Sequence, residues 1–127
     1  MLPFSLVFKP GLSVHEQVVY AVKKACVSGR LRPGDPFPSV RTLSQELRIN
    51  PNTAHKVVAT LVGDGLLEVR PGIGTTIARA PAASRAQRRA LLHEEVERLV
   101  VEARKLSVDL DEVTEAVRDQ WKRLDRG

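Results

Sequence analysis

The stretch that decides the fold is Phe37–Ile77, FPSVRTLSQELRINPNTAHKVVATLVGDGLLEVRPGIGTTI. Ser39 is placed to accept a backbone N–H as an N-cap, and Val40, Leu43 and Leu47 then recur at helical spacing, so a helix is predicted over Val40–Leu47. Asn50-Pro51 marks a second start, with Asn50 as cap and Pro51 at the first helical position, where its missing N–H does no harm. This second helix is predicted to run to Asp64, with Ala54, Val57, Val58 and Leu61 inward and Gly65 as its left-handed stop. Leu66–Arg70 and Thr75–Arg79 then flank Pro71-Gly72-Ile73-Gly74, a hairpin signal. Two helices joined by a very short turn and followed by a small hairpin are the plan of a winged helix-turn-helix. In a helix-turn-helix the second helix enters the DNA major groove by its N-terminal end.

On the N-terminal side, Ser13-Val14-His15-Glu16 reads as a capping box opening a helix that ends near Ser28, before Gly29. Val14, Val18, Val22 and Cys26 are its predicted buried stripe, with Val19 and Ala25 beside it. Before it, Met1–Pro10 reads as an irregular or extended arm in which Phe4, Leu6 and Phe8 alternate with other residues. After it, the proline-rich RLRPGDPFP connects to the second helix, with Leu31 and Phe37 as core plugs. On the C-terminal side, Ala80–Ala83 reads as a linker. Ser84 with Gln87 forms a second capping pattern, opening one continuous amphipathic helix from Arg85 to Leu106. Ser107-Val108 breaks it. Asp109 with Glu112 opens a last helix to about Leu124, with Leu110, Val113, Val117, Trp121 and Leu124 inward. The expected architecture is therefore mainly α, with a DNA-binding domain over 1–80 and a helical tail over 81–127.

Charge separates the two halves. Residues 1–80 carry ten Lys and Arg against five Asp and Glu, a net of +5, whereas residues 81–127 carry ten of each sign. All of the excess positive charge lies on the half that reads as a DNA binder. A single cysteine excludes an internal disulfide framework and fits a reducing, cytoplasmic setting. No apolar run approaches the length of a membrane span, and MLPFSLVF lacks a basic leader before its apolar part, so neither a membrane partner nor a signal peptide is expected.

The chemistry of the second helix lies at its start. Asn50, Asn52, Thr53, His55 and Lys56 occupy the face opposite the apolar one. Asn can pair bidentately with adenine, Thr can reach bases or phosphates, and Lys56 suits a phosphate. The free N–H groups beyond Pro51 offer a phosphate a further seat. Arg41, in the first turn of the preceding helix, can reach a phosphate or base edge at the groove margin or stand solvated on the surface. In the wing, Gly72, Gly74 and Thr75 can supply backbone N–H and hydroxyl contacts, and Arg70 just before the turn can supply charge.

The blocks PSVRTLSQEL, NPNTAHKVVATL, GDGLLEVRPG and GIGTTI resemble the DNA-binding domain of GntR-type bacterial transcription regulators, in the family's order and spacing, across Leu12–Ala78. The resemblance implies a DNA contact for Arg41 and places His55 where a longer basic residue is frequent. The wing departs from the family pattern of Gly, a basic or polar residue, Gly, Thr and an aromatic. Here Ile73 stands in the basic or polar place and Thr76 in the aromatic one, so a wing with weaker electrostatic binding is expected. The short all-helical tail looks like that of the YtrA-type subgroup, in which it serves dimerisation. The expected function is a sequence-specific regulator, a repressor, that binds a pseudo-palindromic double-stranded operator as a homodimer with half-sites about 34 Å apart.

Two amphipathic tail helices cannot bury their stripes against each other alone, so Leu92, Val96, Leu99, Val100, Leu106, Val113, Val117 and Trp121 are the expected dimerisation set. Two other functions fit the same chain: a regulator with a small-molecule effector of unknown identity between tail helices, and a winged-helix module that binds protein. No nucleophile motif, P-loop or dinucleotide fingerprint points to an enzyme or a cofactor. His15, His55 and His93 stand in separate elements; the pair His93 and Glu97 reads as ordinary surface charge rather than as metal ligands, and Cys26 as a small core residue rather than a thiol sensor.

Overall fold

The computed structural model describes residues 2–125. Met1 of the expected arm and Arg126 and Gly127 of the expected tail lie outside the described residues. The chain divides into two compact units, with the break between Ala80 and Pro81.

The first unit is built on three helices: α1 (Val14–Val27), α2 (Val40–Leu47) and α3 (Pro51–Gly63). Each starts on a side-chain cap. Ser13 Oγ accepts the Glu16 N–H (3.2 Å), Ser39 Oγ the Thr42 N–H (3.1 Å) and Asn50 Oδ1 the Asn52 N–H (2.7 Å). The predicted capping box at Ser13 is only half made, because no return bond from the Glu16 side chain is formed. α3 stops one residue earlier than predicted, in a Schellman motif: Gly65, at φ 80°, donates to Val62 O and Leu66 donates to Leu61 O.

Leu43, Ala54, Val57, Leu61, Val18 and Val22 are fully buried where the three helices meet. Two predicted stripe members of α1 differ: Val14 is exposed and Cys26 half-buried. The first turn of α1 overhangs the core, so that burial begins at Val18 and continues through Val19, Ala21, Val22 and Ala25. Leu31 and Phe37 are buried as expected. The arm completes the same core. Phe4 is buried and stacks on Phe37 with ring centroids 6.2 Å apart, and the Gln17 side chain holds the arm by hydrogen bonds with the Lys9 backbone and the Leu12 carbonyl.

The hairpin pairs β1 (Leu67–Arg70) antiparallel with β2 (Gly74–Ile77), with Leu67 opposite Ile77 and Arg70 opposite Gly74. Both strands thus start one residue away from the prediction, and β2 ends two residues sooner. The turn accounts for the start of β2. Ile73 donates to Arg70 O (3.1 Å) with Pro71 and Gly72 (φ 78°) between them, a type II geometry, so Gly74 belongs to the ladder and not to the tip. The proline-rich connector adds a third edge: Phe37 donates to Thr75 O, Ile77 to Asp35 O and Gly34 to Ile77 O.

The second unit begins with α4 (Arg85–Arg89), opened by a complete capping box between Ser84 and Gln87. The predicted single α-helix is interrupted: Ala90–Glu95 winds as a π-helix before α5 (Val96–Lys105). Leu91 and Leu92 within it are both exposed. α5 ends in a Schellman motif with Ser107 at φ 59°, where Ser107 donates to Arg104 O and Val108 to Ala103 O. α6 (Leu110–Asp125) follows. Its predicted inward row is not buried within the chain: Val113 and Leu124 are half-covered, whereas Leu110, Val117 and Trp121 are exposed. Two helices have too few neighbours to enclose a full stripe, and Ala103 is the one apolar residue of the unit that is buried among the described residues.

Candidate nucleic-acid interface

The candidate contact residues lie in three places in the first unit. The first is the N-terminal turn of α3. Pro51 lets the chain enter the helix without an orphan donor, and the Asn50 cap leaves Asn52, His55 and Lys56 exposed, with Thr53 half-buried beside them. Behind this polar face, Ala54, Val57 and Leu61 lock the helix to the core. Burial on one face and solvation on the other follow directly from the three-and-four spacing of its apolar residues. Asn50 is a special case. Its Oδ1 is engaged by the Asn52 N–H, so its amide Nδ2 is the freer group for a ligand.

The second place is α2. Arg41 is exposed in its first turn, on the side opposite Leu43 and Leu47. The third is the wing. Gly72 and Gly74 are exposed and Thr75 half-buried. Arg70 is exposed but engaged: its Nε and Nη2 donate to Glu68 Oε1 at 2.9 and 2.7 Å. The charge expected to compensate for Ile73 is therefore partly neutralised in the free protein, although a solvent-exposed pair of this kind is weak and exchangeable. Ile73 itself projects at the tip with 71% of its surface exposed. Thr76, which stands where the resemblance places an aromatic, is buried, and its Oγ1 has no hydrogen-bond partner among the described residues.

Two contacts support this surface without being legible in the sequence. His15 Nε2 and Thr60 Oγ1 share a 2.8 Å hydrogen bond that ties the start of α1 to the second half of α3. The Phe4–Phe37 stack fixes the connector two residues before the Ser39 cap. Neither pair has a sequence spacing that announces it, since 45 and 33 residues separate the partners. Cys26 is half-buried in α1, and burial raises its thiol pKa above the ordinary value. It is therefore a poor nucleophile near neutral pH.

In the second unit the residues of the expected dimerisation set are exposed, apart from the half-covered Val113. Leu92 lies in the π-helical stretch and Val96 opens α5, and Leu99, Leu106, Val113, Val117 and Trp121 line an open groove of about 620 Å³. Val100 lines a smaller hollow beside it, with Ala103, Val108 and Val113. No helix among the described residues is long and apolar enough to cross a membrane.

Comparison with known proteins agrees with this geometry. Residues 14–77 match the family model of bacterial regulatory proteins, gntR family. The HTH-type transcriptional repressor YtrA of Bacillus subtilis (strain 168) is 29% identical over 107 residues, covering 84% of this chain and 82% of that one. A crystal structure described as a transcriptional antiterminator from Listeria monocytogenes EGD-e superposes with a TM-score of 0.84 at 24% identity, over 98% of this chain and 92% of that one. The DNA-binding domain of AraR, solved in complex with operator ORX1, gives a TM-score of 0.50 at 26% identity, over 58% of this chain and 95% of that one. With a capped, polar-faced α3 on a three-helix core, a two-stranded wing and a short YtrA-like helical tail, the chain belongs to the gntR family of bacterial regulatory proteins and is a DNA-binding transcription regulator, not an enzyme.

Proposed function

We propose that this regulator is a cytoplasmic repressor that occupies a pseudo-palindromic operator as a homodimer, joined through its tail. The observation that carries the dimer is the second unit: among its described apolar side chains only Ala103 is buried, while Leu91, Leu92, Leu106, Leu110 and Trp121 are each more than half exposed. So much exposed apolar surface calls for a partner. A second copy presents the same face, and a two-fold pairing closes on itself. The name of the B. subtilis relative, a repressor, supports the sign of regulation.

In this reading the start of α3 enters the major groove. Asn52 and His55 face base edges, Asn50 donates from its free amide, and Thr53 and the N–H groups after Pro51 meet the backbone. Lys56 and Arg41 hold phosphates and set the register. Arg70, Gly72, Gly74 and Thr75 approach the adjoining strand from the wing.

Selection from a random duplex library at two salt concentrations tests the whole reading. An inverted repeat with half-sites about 34 Å apart, bound by two chains, is the expected result. Recovery of single, unrepeated sites bound by one chain would refute the dimer, and failure to retain duplex even at low salt would refute the operator.

A further inference from the structure

We infer that Arg48, in the turn between α2 and α3, is a phosphate-holding residue of the DNA surface. The inference rests on the operator-binding reading above and adds to it a residue for which that reading has no role.

Three observations converge on it. First, Arg48 is the C-cap of α2 in the left-handed conformation, at φ 55° and ψ 48°, donating its backbone N–H to Ser44 O. This conformation is unfavourable for any residue with a Cβ, and glycine would adopt it freely. A helix-turn-helix needs the sharp turn, and nothing in the turn needs an arginine. Second, the side chain serves no purpose within the fold. Arg48 is exposed, and among the described residues its guanidinium has no hydrogen bond or ion pair. Third, its placement is specific. Arg41 is exposed in the first turn of α2, and Arg48 is exposed as the cap that ends it. Arg48 also lies two residues before Asn50, the cap of α3. α2 thus has an exposed cation at each end, and the second of them adjoins the end of α3 that enters the groove in this reading. A strained backbone position occupied by a long, unpartnered cation beside the recognition helix is explained by a contact that forms only with a polyanion.

The roles separate in opposite directions under substitution, which makes the test decisive. The full-length protein is titrated onto a labelled duplex taken from the library selection, over a series of salt concentrations, and its thermal unfolding is followed without DNA. Arg48→Gly should raise the melting temperature, because the left-handed strain is relieved, and should weaken binding. Loss of one phosphate contact per chain should flatten the slope of log K against log salt by about 0.9 for each chain and lower affinity on the order of eightfold for each chain at ~0.1 M salt, hence roughly sixtyfold for a dimer on its full site. Arg48→Gln keeps the backbone state but removes the charge and should show the same flattening. Arg48→Lys should restore most of it. Wild-type slope in both the Gly and Gln variants would overturn the inference, as would a Gly variant that loses stability and affinity together at unchanged slope. Failure of the unaltered protein to bind any duplex would instead refute the operator reading itself, and the inference with it.

Discussion

Trp121 offers the sharpest test of how the tail is used. In the single chain it is 72% exposed on α6, at the edge of the groove lined by Leu99, Leu106, Val113 and Val117. A tryptophan presents up to about 250 Å², so roughly 180 Å² of it awaits cover. At about 25 cal/mol per Å² complete cover would contribute ~4.5 kcal/mol. Interfaces return only part of that, because side chains are ordered and polar neighbours desolvated, and about half, ~2 kcal/mol, is a working value. A two-fold dimer contains the residue twice, so Trp121→Ala should weaken association by ~4 kcal/mol, on the order of a thousandfold in Kd. Sedimentation equilibrium across a dilution series reads this directly. A duplex carrying one half-site supplies the control, since the first unit is untouched and its affinity should not change. Affinity for the full operator should fall, because the two units no longer bind as a linked pair. The reasoning fails if the variant associates as tightly as the parent, or if half-site binding falls as far as operator binding.

Four further predictions concern the first unit. Thr76→Val should raise stability by about 1 kcal/mol in thermal unfolding, because it removes a buried hydroxyl with no partner and keeps the shape. Glu68→Gln should strengthen duplex binding and steepen its salt dependence by freeing Arg70, at a stability cost below about 1 kcal/mol for an exposed pair. His15→Ala and Thr60→Ala should each destabilise by about 1 kcal/mol, and the double variant should cost less than their sum, a coupling that a double-mutant cycle measures. Cys26 should react with iodoacetamide more slowly than free cysteine at mildly alkaline pH. Its raised pKa keeps it a thiol there, so the rate should climb only at higher pH and become ordinary in denaturant.

The local elements were legible because their signals are local. Ser39, Asn50-Pro51 and Gly65 carry caps and stops in their own side chains and backbones, and α2 and the start of α3 lie where those residues put them. The start of β2 differs by one residue because a type II turn and a four-residue loop share the same Pro-Gly-Ile-Gly letters. The π-helical stretch was invisible for a related reason: ALLHEE is compatible with α winding, and no residue in it breaks a helix. For the candidate site, exposure at Arg41, Asn52, His55 and Lys56 followed from periodicity, but the partners of Arg70 and Asn50 did not.

By itself, then, the sequence determined the helix-turn-helix with its wing, the excess of positive charge on that half and the membership of the family, since each is written in residues within a few positions of one another. Only the tertiary structure decided that Phe4 comes back onto Phe37, that His15 reaches Thr60, that Glu68 occupies Arg70 and that Leu110, Val117 and Trp121 of the predicted inward row of the last helix stay exposed. These outcomes depend on which surfaces meet after the chain has folded, and on how much area two helices can cover between them.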